Sequence, residues 1–379
     1  MVNRARSITR RAGALTAVVL WVALAVLGQG PGMARAEEAA ERELRLEEAI
    51  TRALQVDLAL RSAELSVEEN ELAREDAAEA VTFTPVLGES YSPAYETAWY
   101  GLLTADLQWQ MSKKSYAAQE DAVVLETCQK YWAVQGAEEA VEAARLGLEA
   151  AELGLRRARA MQAVGLITDA DLQAAESQAK QAEAGRAAAE RALEAAWEEL
   201  AEQVGLGSGE RPVLVDRPEF APLGEVSLGH EISRVLETSP QVWQAEQART
   251  LAEWSLSMAY ATGGYESYEA RQIQQEQVEL TIQTTRQAVE SGVRNLYRAI
   301  RALEDQYAQQ EREVAAAEAS LKVAEAKFSV GMITRSELLA AELELAQARV
   351  NLAATVRQHA YYRLAFQKPW AVSSSGGGS

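Results

Sequence analysis

The stretch VGLITDADLQAAE, at residues 164–176, is repeated as VGMITRSELLAAE at residues 330–342, an offset of 166 residues. Nearer the amino terminus the offset is 182, between Leu46 and Leu228, each of which opens a similar amphipathic stretch. Self-similarity over this distance indicates two copies of one structural unit. The first copy therefore carries 16 more residues than the second, inserted between about residues 60 and 131.

Long helices are predicted on either side of each repeated stretch. Apolar residues recur there at spacings of three and four, and strong helix formers fill most other positions. At 1.5 Å per residue, a helix over residues 270–328 is about 90 Å long, more than a compact globule holds. The predicted fold class is mainly α, with antiparallel coiled-coil hairpins in two tandem repeats. The predicted helices of these hairpins cover residues 117–163, 169–204, 270–328 and 335–366.

Each hairpin folds at a glycine. Gly165 and Gly331 can adopt the positive φ that a sharp turn between helices requires. Thr168 and Thr334 can cap the helix that follows. Capping by itself accounts for these residue types, and a surface that binds a partner is the alternative interpretation.

The extra residues of the first copy fall where the composition changes. Between residues 82 and 115, Thr, Tyr, Trp, Gly and Pro replace the helix formers, whereas the second copy has only a short turn over residues 261–268. From Trp99 to Met111, apolar residues alternate with more polar ones, which predicts a strand. Lipid-facing strands and ordinary half-buried strands both show this alternation, so both interpretations stay open. The apolar face of the predicted strand consists of Trp99, Leu103, Leu107, Trp109 and Met111.

Charge and the scarcity of reactive side chains exclude several functions. The net charge is −19 and the isoelectric point about 4.8, whereas nucleic-acid binding needs a basic face. Cys128 is the only cysteine, and the two histidines, His230 and His359, are far apart in the sequence. A disulfide within the chain, a multi-cysteine metal site and Ser/His catalysis are therefore not expected. The sequence predicts no enzyme, no cofactor, no metal and no nucleic-acid partner.

The two ends are predicted to lie outside the repeats. Four arginines precede an apolar run over residues 12–27, and Ala34-Arg35-Ala36 follows as a cleavage site. This layout is typical of a secretory signal peptide, with a retained membrane anchor as the alternative. Removing five arginines and no acidic residue leaves a charge of −24 on the exported chain. The predicted segments are a signal peptide (1–36), a first repeat (37–206), a linker (207–225), a second repeat (226–368) and a disordered tail (369–379).

Taken in order, these features resemble the TolC-like outer-membrane efflux proteins. The resemblance covers about residues 44–367 and rests on the double repeat, on LQWQ at residues 107–110 and on the two Val-Gly-x-x-Thr turns. It implies a homotrimer in which a short barrel in the outer membrane continues into a long helical tunnel across the periplasm. Such proteins conduct exported compounds or proteins in efflux or type I secretion. They are driven by an inner-membrane pump, which a periplasmic adaptor protein joins to the tunnel.

The resemblance also implies roles for residues at the turns. The tunnel mouth would narrow at Glu337, braced by Thr168 and Asp169, and a ring of such carboxylates would favour cations. In the family, a basic residue partners the bracing residues of the first repeat. That position falls on Ile333 in this sequence, and Arg335 is close enough in sequence to take its place. The family has two acidic positions on the helix after the second turn. Glu337 stands at the first and Ala340 at the second, so half of the acidic pattern is absent. A solvated carboxylate is the alternative interpretation of Glu337. The adaptor would dock on the turns at Val164, Gly165, Thr168, Val330, Gly331 and Thr334.

The predicted strand content departs from the resemblance. Members of the family place two strands in each repeat, whereas this sequence offers strand material in the first repeat alone. Six strands in a trimer would be fewer than the eight of the smallest membrane barrels. A tunnel without a complete membrane barrel, a different oligomer and a degenerate member all stay open. The alternative function is an envelope-spanning coiled coil that tethers layers without conducting.

Overall fold

A computed structural model describes residues 43–81, 93–207, 209–258 and 268–374. The predicted signal peptide at residues 1–36 lies outside the described residues. Across the described ranges the chain forms nine helices and one parallel pair of two-residue strands. The strands are β1 (Glu43–Leu44) and β2 (Val213–Leu214), and the helices are α1 (Leu46–Val56), α2 (Leu58–Ala80), α3 (Pro93–Ala163), α4 (Asp169–Val204), α5 (Leu228–Thr238), α6 (Pro240–Met258), α7 (Tyr268–Ser329), α8 (Arg335–Gln367) and α9 (Trp370–Ser374).

The two tandem repeats are confirmed, with α1 to α4 corresponding to α5 to α8. Each repeat opens with an 11-residue helix that ends at an extended residue, Asp57 or Ser239. The 16 extra residues of the first repeat lie mostly in its helices. α3 has 71 residues against 62 in α7, and α2 has 23 against 19 in α6. The remaining three residues belong to the connection after α2, which is longer than the connection after α6.

The long helices lie side by side in one layer. α3 packs against α4 on one side and α8 on the other, and α7 packs against α8. Toward the amino-terminal end of α3, α2 packs against α3, and α6 contacts both α3 and α7. α3 alone is about 107 Å long at 1.5 Å per residue. The layer has two edges, one formed by α2 and α4 and the other by α7.

The core lies in the middle of the layer, where the short elements cover the long helices. In the first repeat, Leu44 of β1, Tyr131 of α3 and Leu200 of α4 are buried together. In the second repeat, Val235 of α5 packs against Val293 and other residues of α7. Burying each large apolar side chain contributes about 1.5–3 kcal/mol, so the short elements fasten the long helices at this level.

The strand predicted over residues 99–111 is wrong, because these residues belong to α3. The helix also begins at Pro93, well before the predicted start at residue 117. Side chains four residues apart interact: Gln110 donates a hydrogen bond to Asp106 (2.6 Å), and the Lys113 ammonium lies 3.3 Å from the ring centroid of Trp109. Strand propensity depends on a neighbouring strand, whereas a helix satisfies its own backbone. Residues 82–92 of the predicted strand segment lie outside the described residues.

The disordered tail predicted over residues 369–379 is wrong in its first half, since Trp370–Ser374 forms α9. The Trp370 indole N–H donates a hydrogen bond to Asp121 of α3 (2.9 Å), and Ala371 is buried. One aromatic anchor and one buried alanine therefore hold the end of the described chain against α3. Residues 375–379 lie outside the described residues.

Candidate functional site

The two hairpin turns have the same backbone geometry. Gly165 and Gly331 have φ angles of 74° and 75°, as the sequence predicts. The Leu166 amide donates to the Met161 carbonyl (2.8 Å) and the Gly165 amide donates to the Gln162 carbonyl (2.9 Å). The second turn repeats both bonds at 2.9 and 3.0 Å. This is the Schellman motif, which ends a helix on a left-handed residue and satisfies its last carbonyls.

The helix after each turn begins with a capping box. The Asp171 amide donates to the Thr168 hydroxyl, and the Asp171 carboxylate accepts from the Thr168 amide (2.9 Å). Thr334 and Glu337 form the same pair in the second repeat, with an amide-to-carboxylate distance of 2.7 Å. The predicted caps are thus confirmed. The amide hydrogen bond from Thr334 is the largest cause that lowers the pKa of Glu337, so its carboxylate is charged at neutral pH.

Apolar side chains stand out at both turns. Val164 and Leu166 in the first turn, and Val330 and Met332 in the second, are between 67% and 73% exposed. The backbone motifs of the turn explain the glycine and the threonine but place no demand on these four side chains. Exposed apolar residues grouped at the end of a rod are typical of a binding surface.

The residues predicted for a constriction lie at this same end of the molecule. Glu337 lies at the start of α8, within electrostatic range of Arg157 on α3. Arg335 pairs with Glu342 (2.8 Å), and Asp169 accepts a hydrogen bond from Gln162 (3.1 Å). Each of the predicted constriction residues is thus bonded within its own hairpin, and among the described residues no hydrogen bond or ion pair joins Asp169 to Arg335 or Glu337.

Both edges of the layer carry apolar rows. On α2, Leu58, Leu65 and Leu72 are spaced by seven residues and are 49–84% exposed. On the first part of α7, Ile273 and Leu280 are also seven residues apart, and each is 56% exposed. A spacing of seven places side chains on one face of a helix, the arrangement of a coiled-coil seam. The described chain therefore presents a seam on each edge of its layer.

Sequence reasoning missed several of these features, although some left a signal. Thr-x-x-Asp and Thr-x-x-Glu are the sequence signature of a capping box, so Asp171 and the local role of Glu337 could have been found. The leucine heptad of α2 was equally visible in the sequence. The residues predicted for a membrane-facing strand, in contrast, lie in α3, at the end opposite the turns.

Comparison with known proteins reveals likeness in structure alone. No protein-family model and no curated protein matches the chain. The CmeC outer membrane channel of Campylobacter jejuni superposes with a TM-score of 0.66 at 13% identity, covering 85% of each chain. The Vibrio cholerae outer membrane protein VceC gives a TM-score of 0.64 at 14% identity, covering 86% of this chain and 96% of VceC. The open state of the MtrE outer membrane channel of Neisseria gonorrhoeae gives 0.56 at 18% identity, covering 86% of this chain and 89% of MtrE.

In residues 43–81, 93–207, 209–258 and 268–374, no helix combines the length and the apolar character needed to cross a bilayer. The resemblance drawn from the double repeat and the glycine turns is confirmed at the level of fold. The chain has the TolC-like fold of the outer-membrane efflux channels.

Proposed function

We propose that this protein is the tunnel subunit of an efflux or type I secretion system. It would be exported, lie in the outer membrane and extend through the periplasm as a passive conduit. An inner-membrane pump, joined through an adaptor protein, would drive transport. The proposal is supported by the fold shared with outer-membrane channels and by a layer about 107 Å long.

One observation carries the proposal: the layer of helices has an apolar seam on each of its two edges. The seam on α2 and the seam on α7 differ in sequence, so the contact between copies would be head-to-tail. Head-to-tail contacts of this kind close into a ring when the rotation between copies permits it. We propose that the ring is a homotrimer, and that its hole is the conduit.

Introducing charged side chains into the α2 seam tests whether the copies assemble through it. Leu65→Glu combined with Leu72→Glu should convert the oligomer to monomers, because closing the ring would bury two carboxylates in an apolar contact. Ala73→Glu is the matched control, since Ala73 is exposed on the same helix but lies off the seam. Native mass spectrometry gives the number of copies, and single-channel recording gives conductance. An unchanged oligomer in the double variant would refute the assembly. A trimer that does not conduct would instead support the envelope tether.

The two glycine turns are proposed as the adaptor-docking surface. Val330→Asp combined with Met332→Asp removes the exposed apolar pair without touching Gly331 or Thr334, so the turn geometry should survive. Cross-linking of the chain to its adaptor in cells should then fall at least tenfold. Val323→Asp is the control, because Val323 is 52% exposed on α7 but lies outside the turn. Unchanged cross-linking accompanied by lost export would contradict docking at the turns.

Glu337 is proposed to narrow the tunnel mouth, supported by Asp169 and Arg335. The capping role of Glu337 complicates a simple substitution, but the repeat supplies a control. Glu337→Gln and Asp171→Asn both weaken a capping box, and Glu337 alone is assigned to the mouth. Cation preference in single-channel recordings should fall in Glu337→Gln and persist in Asp171→Asn. Equal effects in the two variants would restrict Glu337 to its capping role.

A further inference from the structure

The segment that links the two repeats is held at two separate places. Its first part is fixed to the first repeat, where the Leu46 amide donates to Asp216 (2.7 Å) and Gln135 donates to the Asp216 carbonyl (3.0 Å). Its second part, residues 217–224, crosses to the second repeat, and we call it the strap. The strap is held on α7 by three residues, Glu304, Arg301 and Tyr307.

Glu304 is the centre of the attachment of the strap. One carboxylate oxygen accepts a hydrogen bond from the Leu223 amide (2.6 Å), and the other accepts from the Arg301 guanidinium (2.7 Å). Arg301 also donates to the Gly224 carbonyl. Phe220 of the strap stacks on Tyr307, with the ring centroids 3.7 Å apart. One carboxylate, one guanidinium and one aromatic stack therefore hold the strap on α7, in addition to the Arg217–Glu139 ion pair at its start and the packing of Leu223 against the core of the second repeat.

A buried histidine lies beneath this attachment. His359 of α8 has no exposed surface, and its ring centroid lies 4.8 Å from that of Phe220. Its Nε2 atom is 3.7 Å from Glu304 Oε1, the oxygen that accepts from the Leu223 amide. That distance is too long for a hydrogen bond, and neither ring nitrogen has a hydrogen-bond partner among the described residues. A titratable ring with two unpaired nitrogens thus stands directly behind the carboxylate that holds the strap.

Two charged groups of the described chain act directly on the imidazole. Glu304 of α7 favours a proton on His359, and Arg363 of α8 opposes it. Arg301 already neutralises Glu304 on its far side. Phe220 of the strap contributes only its ring. Burial, the largest cause, lowers the pKa of His359 from its ordinary value, so the ring is neutral at pH 7.

Protonation of His359 would offer the Glu304 carboxylate a second hydrogen-bond donor besides the Leu223 amide. An imidazolium buried without a partner is costly, so it would draw the carboxylate oxygen from 3.7 Å to a hydrogen-bond distance of about 2.8 Å. That movement takes the oxygen away from the Leu223 amide. We propose that His359 is an acid-sensitive latch: the neutral ring leaves Glu304 to hold the strap, and the protonated ring recruits Glu304 and releases it.

The sign of the pH dependence follows from the direction of the pKa change. A histidine with a lowered pKa in the latched state stabilises that state above its ordinary pKa of about 6.5, and the stability is lost as the pH falls below that value. A histidine with the ordinary pKa of about 6.5 is about 97% protonated at pH 5.0, so a latched ring that stays neutral corresponds to a loss of roughly 30-fold. We expect the latched population of the strap to fall between about 3-fold and 30-fold.

Hydrogen exchange of the full chain, followed by mass spectrometry and corrected for intrinsic exchange, tests the latch. A peptide covering the strap should be protected at pH 7.5 and lose about 3-fold to 30-fold of that protection at pH 5.0. The peptide containing Asp216, held by other bonds, should change little. His359→Gln should abolish the pH dependence at the strap. His230→Gln, on the exposed histidine of α5, should behave like the parent chain.

A second variant tests the latch even if His359→Gln does not fold. Glu304→Gln removes the charge that an imidazolium would recruit but keeps an oxygen that can accept from the Leu223 amide. Strap protection should then be lower at pH 7.5, because the ion pair with Arg301 is lost. Protection should also fall less at pH 5.0 than in the parent chain, because no carboxylate is left to pair with the imidazolium. Equal protection of the parent strap at both pH values would overturn the latch. A pH-dependent loss in either variant that is as large as in the parent chain would also overturn it.

Discussion

Tyr131→Phe removes a single hydroxyl that joins three parts of the chain. Tyr131 has no exposed surface, and its hydroxyl donates to the Leu44 carbonyl of β1 (2.7 Å). The same oxygen accepts from the Asp216 amide (3.2 Å), just after β2. Each lost bond costs about 0.5–1.5 kcal/mol, and a buried carbonyl left without a donor costs more. We expect Tyr131→Phe to lower the free energy of unfolding by about 2–3 kcal/mol.

The repeat supplies a matched control. Tyr297 lies 166 residues later at the corresponding position of α7, where its hydroxyl accepts one bond from Arg301 (3.3 Å) and is only partly buried. Tyr297→Phe keeps the ring that Arg301 covers and should cost less than about 1 kcal/mol. The two variants therefore separate the buried hydroxyl from the general effect of removing an oxygen.

Urea unfolding at one fixed protein concentration, followed by circular dichroism, measures the difference. With a denaturant slope of about 3 kcal/mol per molar, 2–3 kcal/mol lowers the midpoint by roughly 0.7–1 M. A fixed concentration is needed because the stability of an oligomer depends on protomer concentration. If the midpoint of Tyr131→Phe moves no more than that of Tyr297→Phe, the hydroxyl bridge does not fasten the strands to α3.

Three further predictions concern the turns and the cysteine. Gly331→Ala should lower the free energy of unfolding by about 1–2 kcal/mol in thermal unfolding, because the φ angle of Gly331 is 75°. Gly292→Ala, inside α7 with open space at its Cβ, should instead raise it by up to about 1 kcal/mol, and equal effects would contradict the backbone explanation. Thr334→Ala should cost about 1 kcal/mol and increase hydrogen exchange in the first turn of α8, whereas Thr281→Ala on the exposed face of α7 should not. Burial raises the pKa of the Cys128 thiol to about 11. Alkylation at pH 8 should therefore be at least about 100-fold slower in the folded chain than in urea, and fast labelling of the folded protein would contradict that burial.

The hairpin turns were predictable because the bonds that make them are local. The Schellman motif joins residues five apart, and the capping box joins residues three apart. Glycine and threonine at the right spacing therefore specify the turn wherever the chain runs. The same reasoning placed the first residues of α4 and α8 correctly, at Asp169 and Arg335.

The start of α3 was not predictable in this way. Trp99 to Met111 alternates apolar and polar side chains, as a strand does, and tryptophan and tyrosine favour strands. A strand requires a neighbour to pair with its backbone, and the neighbour at this place is the helix α2. Arg74 of α2 pairs with Asp106 of α3, and its guanidinium lies 5.0 Å from the ring centroid of Trp109. Packing between two helices decided the conformation.

The sequence by itself determined the two repeats, the helical hairpins and their turns, because periodicity and capping act over a few residues. The tertiary structure alone decided which helices lie side by side, which seams stay open and where the linker is held. His359, Glu304 and Leu223 are separated by 55 and 81 residues and meet only because α7, α8 and the strap pack together. No local pattern encodes such a meeting, since it depends on how whole helices are placed.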